Sequence, residues 1–206
     1  MSESLVLHEY AQSGNCDKVR LTAALLGLPL KRREYDILRG ETRTAEFRSK
    51  VNANGRIPVL QIGDRFIPES NAACFYLADG SPLLPHARFD RADMLRWMFF
   101  EQYNHEPNIA TLRFWIRFVG RDSLSEQQRQ QISPKRKAGE EALELMDRHL
   151  AGRRWFVGDA LSLADVTLFA YTHVAGDGGF DLARFPNVSQ WLARVPQQSN
   201  FIAMAA

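Results

Sequence analysis

Cysteine is scarce in this chain: Cys16 and Cys74 are 2 residues in 206. They form no CxxC pair and have no metal-ligand spacing, which argues against a disulfide framework and a zinc site, so no metal is expected. Long apolar runs are missing as well. None approaches the length of a bilayer span, and no basic segment followed by an apolar core opens the chain. The expectation is a cytoplasmic protein with no membrane partner. An excess of charge of either sign is also absent, since 26 Lys and Arg face 24 Asp and Glu for a formal net charge of +2. The basic residues are spread along the whole chain, which speaks against a nucleic-acid surface. The densest basic run, Lys135-Arg136-Lys137, reads as a solvated helix face. No internal repeat and no low-complexity tract is present.

What is there is ordinary for a folded protein: 45% apolar and 24% charged residues, enough for one large domain or two small ones. The first eighty residues alternate strand and helix signals. Leu5-Val6-Leu7 reads as a buried strand, and Val19 with Leu21 to Leu26 as an amphipathic helix that stops at Gly27-Leu28-Pro29. A second strand fits Lys31 to Ile37, and a short helix fits Ala45 to Val51. Ile57 to Ile62, Gly63-Asp64 and Arg65 to Ile67 spell a hairpin, and residues 69 to 79 return to helical spacing. The order implies a small mixed sheet with helices beside it, an α/β domain over residues 1–79. Residues 80–88, "GSPLLPHAR", read as a linker. Residues 89–206 then read as all-helical: Met94, Leu95, Met98, Phe99 and Tyr103 recur at helix spacing, as do Ala142, Leu143, Leu145, Met146 and Leu150. In "LSLADVTLFAY", Ser162 and Asp165 form an acidic capping box, with Leu161 and Val166 placed as a hydrophobic staple.

Three stretches could carry chemistry. In "YAQSGNCDKVRL", residues 10–21, small polar groups precede a helix whose start falls near Asn15 to Asp17. From the residues alone, Ser13 is a turn or cap residue. Asn15 caps or orients a ligand, and Cys16 is either a small buried residue or a thiol acidified by the helix start. In "NGRIPVL", Pro58 cannot donate a ladder hydrogen bond. Either it sits on an edge strand, or a cis peptide turns the Ile57 N–H and C=O outward to meet an extended peptide-like ligand. In "PES", Ser70 either caps the helix that follows, or joins its N–H groups in receiving a carboxylate while Glu69 accepts from an ammonium. One zwitterionic amino-acid head would satisfy both.

The order and spacing of these motifs, together with "RGETRTAEF", "PESNAACFYLA" and "FVGDALSLADVTLFAY", resemble the cytosolic glutathione transferase family over essentially the whole chain. The Ser-x-Asn pattern is most similar to its serine-using classes. The resemblance implies a thioredoxin-like amino-terminal domain that binds glutathione as co-substrate, and an all-α domain that helps form a pocket for a small hydrophobic electrophile. A homodimer is implied as well. Carried over residue by residue, Ser13 stands beside the sulfur and stabilises its thiolate, a role that needs no partner base because glutathione is the nucleophile. Ile57, before a cis Pro58, contacts the cysteinyl part, Glu69 and Ser70 hold the γ-glutamyl head, Arg43 and Thr42 reach the glycine carboxylate, and Arg56 lies beside the tripeptide.

Competing assignments remain. Cys16 would serve a glutathione-dependent disulfide reductase or peroxidase, as in one bacterial class of the family, and Tyr10 stands where other classes place a catalytic tyrosine. Cys74 reads as packing. In "FFEQYNHEPNIATLRFWIRF", Tyr103, His105, Arg113 and Trp115 are the candidates for the electrophile pocket. An isomerase or dehalogenase variant, or a non-catalytic binding module of the same fold, stays open.

Overall fold

The first apolar run forms β1 (Leu5–Glu9), followed by α1 (Gly14–Leu25), β2 (Leu30–Glu34), α2 (Ala45–Lys50), β3 (Val59–Ile62), β4 (Arg65–Pro68) and α3 (Ser70–Leu77) in the computed structural model, which describes residues 4–204. The sheet order is β2-β1-β3-β4, with β1 parallel to β2 and antiparallel to β3, and β3 antiparallel to β4. This is the expected thioredoxin-like arrangement. The hairpin closes where Ile62 pairs with Arg65, and Gly63 supplies the positive φ of 57° that the two-residue turn needs. β2 ends at Glu34, short of the expected Ile37, because Asp36 Oδ1 accepts the Leu38 and Arg39 N–H groups at 2.9 and 3.1 Å and bends the chain away. Its exposed charges, Lys31 to Glu34, suit the edge of a sheet.

α1 departs from the amphipathic expectation. Every residue from Cys16 to Ala23 is buried, Asp17, Lys18 and Arg20 included. It also starts at Gly14, earlier than expected, with Ser13 as its N-cap.

The chain divides into two compact units, one made of residues 4–84 with 198–204 and the other of residues 85–197. α4 (Arg88–Phe100) begins within the stretch read as linker, and Leu83 and Leu84 before it are buried. From α4 the backbone continues through a π-helical turn, Glu101–His105, into α5 (Glu106–Arg113) and a second π-helical stretch, Phe114–Val119. α6 (Glu126–Leu150), α7 (Leu163–Thr172) and α8 (Pro186–Arg194) complete this unit, whose described elements are all helical. The apolar spacing is wider than the face it buries: Met94, Met98, Leu143 and Met146 are enclosed, whereas Phe99, Tyr103 and Leu145 are 62%, 78% and 39% exposed. The basic run on α6 is likewise only partly solvated. Lys135 Nζ donates to the Pro107 carbonyl at 2.7 Å, and Arg136 donates to the Gly178 carbonyl at 3.0 Å, so two of its three cations are used inside the unit.

Asp165 ties this unit together. Fully buried at the start of α7, it accepts from the Ser162 N–H and hydroxyl at 3.0 and 3.1 Å, and from the Phe156 N–H and Trp191 Nε1 at 3.1 and 3.0 Å. A carboxylate, which only accepts, suits a site made of donors alone. Asp165→Asn would turn an N–H₂ onto one pair of these donors, and we expect it to cost about 2–4 kcal/mol in urea denaturation. A loss below about 0.5 kcal/mol would show that the four donors find other acceptors.

Candidate functional site

The site is built outward from Ser13. Its backbone is extended, φ −81° and ψ 124°, and its Oγ accepts the Cys16 N–H at 3.4 Å, as an N-cap does. This uses a lone pair and leaves the proton. The Ser13 side chain is half-buried, and its hydroxyl also stands within hydrogen-bonding reach of the Cys16 sulfur. The loop that carries it is held by both backbone groups of one residue: the Ala11 N–H donates to Glu34 at 2.6 Å, and the Ala11 carbonyl accepts from Arg20 at 2.7 Å. Arg20 also pairs with Glu9 and, at 3.2 Å, with Asp17, while Arg32 takes the other Glu9 oxygen.

The second wall comes from the segment before β3. The Ile57–Pro58 peptide is cis, and Ile57 lies outside the strand register, which begins at Val59. Ahead of it, Asn52 donates to the Arg56 carbonyl at 2.9 Å. Gly55, with φ 64°, comes so near the preceding turn that a Cβ there would lie 2.9 Å from the Thr42 carbonyl and 3.4 Å from Arg43 Cδ. Close approach of glycine backbone thus brings Thr42, Arg43, Arg56, Ile57 and Pro58 into one neighbourhood. Thr42 is buried, whereas Arg43 and Arg56 are exposed.

The third wall is the start of α3. Ser70 does not cap this helix, contrary to one of its expected roles. Glu69 holds the N-cap position without a side-chain cap bond, and Ser70 is the first helical residue. The reason is that the Ser70 hydroxyl has a tertiary partner, donating to Asn15 Oδ1 at 3.2 Å. Asn15 does not cap α1 either, since Ser13 does; its Oδ1 also accepts from Lys18 Nζ at 2.8 Å. Glu69 has φ 69° and ψ 114°, a backbone that L side chains rarely adopt, with its side chain exposed. Such a conformation costs roughly 1–3 kcal/mol and concentrates where it serves a ligand. The structure therefore joins Asn15 directly to Ser70 and brings Gly55, just before Arg56 to Pro58, against Thr42 and Arg43.

The four candidates in the second unit are not gathered in this way. His105 is fully buried, with Nε2 2.9 Å from Thr172 Oγ1. Because the Thr172 hydroxyl donates to the Leu168 carbonyl at 2.6 Å, Nε2 must be the donor to Thr172. Arg113, 4% exposed, pairs with Asp177 at 3.0 Å and lies over the Phe118 ring. Trp115 is half-buried near Lys135, and Tyr103 is exposed.

The sequence matches the models of the glutathione S-transferase N-terminal domain over residues 12–79 and C-terminal domain over residues 102–198. It is 32% identical to a glutathione S-transferase-like protein, LUC7, of Fusarium sp, over 91% of this chain and 86% of that one. This chain belongs to the glutathione S-transferase family. Its fold is similar to the crystal structure of a glutathione S-transferase from Pseudomonas fluorescens, with a TM-score of 0.91 at 41% identity, covering 98% of this chain and 99% of that one. It is also similar to Ure2p in complex with S-hexylglutathione, at 25% identity and a TM-score of 0.85, covering 96% of each chain.

Within this family member, Cys16 occupies the third helical position and is fully buried, its Sγ accepting the Tyr10 N–H at 3.4 Å. Burial pushes its thiol up to about 12, outweighing the hydrogen bonds from Tyr10 and Ser13, which lower it. Reading the sequence passes over Glu9, Lys18 and Arg20, all buried. The one signal they leave is a run of charges, Asp17-Lys18 and Arg20, in a helix whose other residues are apolar or small.

Two expectations follow. Near pH 8 the thiolate fraction of Cys16 is on the order of one in ten thousand, and it grows only as the pH rises toward 12. An alkylating reagent should spare Cys16 in the folded protein and label it after unfolding, as peptide mass analysis would show; labelling of the folded form would refute its enclosure. At Glu69, glycine tolerates the positive φ, so Glu69→Gly should keep stability or gain up to about 1 kcal/mol while lowering glutathione affinity about tenfold or more. Calorimetry and denaturation on the same samples decide this, and a parallel fall in stability would contradict it.

Proposed function

We propose that this chain binds glutathione along the Ser13, Ile57 and Ser70 walls, and that it transfers the tripeptide's thiolate to a small hydrophobic electrophile. The carrying observation is the Ser13 hydroxyl, which caps α1 through its oxygen from a half-buried position outside the helix, so that its proton can turn from the Cys16 sulfur to an arriving one. A thiol of ordinary acidity, pKa about 8.5, is mostly protonated at neutral pH, and the thiolate is the nucleophile. A donated Ser13 O–H and the positive end of α1 both favour the anion, and the thiol proton leaves to solvent. The sulfur then forms a bond to the electrophilic carbon, adding to it or expelling a leaving group with the bonding electrons.

In this reading Glu69 accepts from the γ-glutamyl ammonium, Ser70 and the first N–H groups of α3 receive its carboxylate, and the Ile57 backbone pairs with the cysteinyl part. Arg43, with Thr42 and Arg56, lies toward the glycine carboxylate. Asn15 helps to orient the sulfur. Catalysis of disulfide exchange through Cys16 is disfavoured, because that thiol lacks both access and acidity. A homodimer in the cytoplasm belongs to the proposal on family grounds. For the electrophile side, Tyr103 and Trp115 keep accessible surface, whereas His105 is fully buried with Nε2 on Thr172 and Arg113 is buried against Asp177.

The test is an ultraviolet titration of the bound thiolate in wild type, Ser13→Ala and Cys16→Ala, paired with turnover of a chlorinated nitroaromatic. Ser13→Ala should raise the bound thiol pKa by about one unit or more and reduce turnover at least tenfold at neutral pH. Cys16→Ala should stay within a few fold of wild type. An unchanged titration in Ser13→Ala would remove the serine from the chemistry. Glutathione binding with no turnover of any electrophile would leave a binding module.

A further inference from the structure

Lys18 is fully enclosed in the protein, yet it is a lysine. Buried cations are held by hydrogen bonds, and the bonds this one makes are informative. Its Nζ donates to Asn15 Oδ1 at 2.8 Å and reaches Ser70 Oγ at 3.5 Å, while the Ser70 hydroxyl donates to the same Asn15 oxygen at 3.2 Å. Two side chains from the starts of two helices, Asn15 of α1 and Ser70 of α3, thus share one ammonium.

The hydrogen-bond inventory then sets a constraint. Serine has one proton, and an amide oxygen accepts while its nitrogen donates. Ser70 cannot give its proton both to Asn15 and to an arriving carboxylate. When the proton leaves Asn15, Lys18 keeps the amide oxygen satisfied, so the Asn15 side chain need not turn. With Oδ1 facing Lys18, the Asn15 amide N–H₂ faces away from it. We infer that Lys18 is a positioning residue of the glutathione site: it fixes the orientation of Asn15 and frees the Ser70 hydroxyl for the ligand carboxylate, linking the sulfur position to the γ-glutamyl head. Its charge also lies one hydroxyl away from where that carboxylate would sit. The inference rests on the glutathione reading for its ligand, and on the apo geometry for the link itself.

The experiment uses the whole chain in two arms. In the first, without ligand, the side-chain amide resonances of Asn15 are compared between wild type and Lys18→Met. Loss of the ammonium should shift or broaden them well beyond the other asparagine amides, and an unchanged Asn15 signal in a folded Lys18→Met protein would overturn the link. In the second arm, calorimetry and thiolate titration with glutathione are applied to wild type, Lys18→Met, Asn15→Ala and the double variant. Charge-assisted bonds of this kind make a loss of affinity of about tenfold the expected result for Lys18→Met. The thiol pKa should rise in both single variants, and the double variant should exceed the larger of them by less than about twofold in thiolate fraction, because residues acting through one another are not additive. Additive effects, or affinity within about twofold of wild type in Lys18→Met, would assign the lysine a role in folding only. If wild type fails to bind glutathione, the functional reading falls while the first arm still judges the link. Should Lys18→Met not fold, Lys18→Gln keeps a donor without the charge: it should retain the Asn15 signal and lose affinity, and a retained affinity would overturn the charge's part.

Discussion

A carboxylate taken out of water at the end of β1 governs the site around it. Glu9 has no exposed surface, and its two oxygens are held by Arg20 from α1 and Arg32 from β2. Removing one partner from such a buried pair costs about 3–5 kcal/mol, whereas the pair itself gains little over apolar packing. Its value is therefore positional. Arg20 is drawn to Glu9 and Asp17, and from there its second nitrogen grips the Ala11 carbonyl, two residues before Ser13. That grip adds to other backbone bonds of the loop: the Ala11 N–H on Glu34, the Ser13 N–H on the Tyr10 carbonyl and the Tyr10 N–H on the Cys16 sulfur.

On this frame the functional groups are arranged by counting protons and lone pairs. Ser13 accepts through its oxygen to start a helix, which leaves its proton to the Cys16 sulfur beside it. Ser70 lends its proton to Asn15 while Lys18 holds the same oxygen. Glu69 contributes through its backbone, since a residue at φ 69° directs its chain neighbours as an ordinary helix entry would not. Two of these arrangements are suboptimal for folding alone: a buried cation, and a strained N-cap whose side chain caps nothing. Such local conflicts are found where a ligand supplies the missing partner.

Much of the fold was legible because its signals are local. Alternation, the Gly63-Asp64 turn and the Ser162–Asp165 box each act over a few residues, and the hairpin and the capping box formed where they were read. The misreadings share a cause, which is tertiary contact. Asp17, Lys18 and Arg20 have the spacing of a solvated helix face, and only strands and helices from elsewhere in the chain turn that face inward. Lys135 and Arg136 follow the same rule. Leu145, Phe99 and Tyr103 show its converse, apolar spacing that meets no neighbour in its unit. The π-helical turns around His105 had no sequence mark to betray them, since a π segment differs from an α-helix in its hydrogen-bond register.

The different surroundings of Ser13 and Cys16 come from a shift in where a helix begins. With a start near Asn15 to Asp17, Cys16 would stand at the helix mouth, where the dipole acidifies a thiol. With a start at Gly14, Ser13 becomes the N-cap, outside the helix, with its side chain half-buried. Cys16, three residues on, is then inside the first turn. Side chains in a helix lean toward its amino terminus, and the Cys16 sulfur accordingly falls under the end of β1, against the Tyr10 N–H. One hydrogen bond accounts for both outcomes, because the Cys16 N–H that Ser13 caps is the bond that fixes the helix start. The residue that caps keeps accessible surface, and the residue that is capped has none.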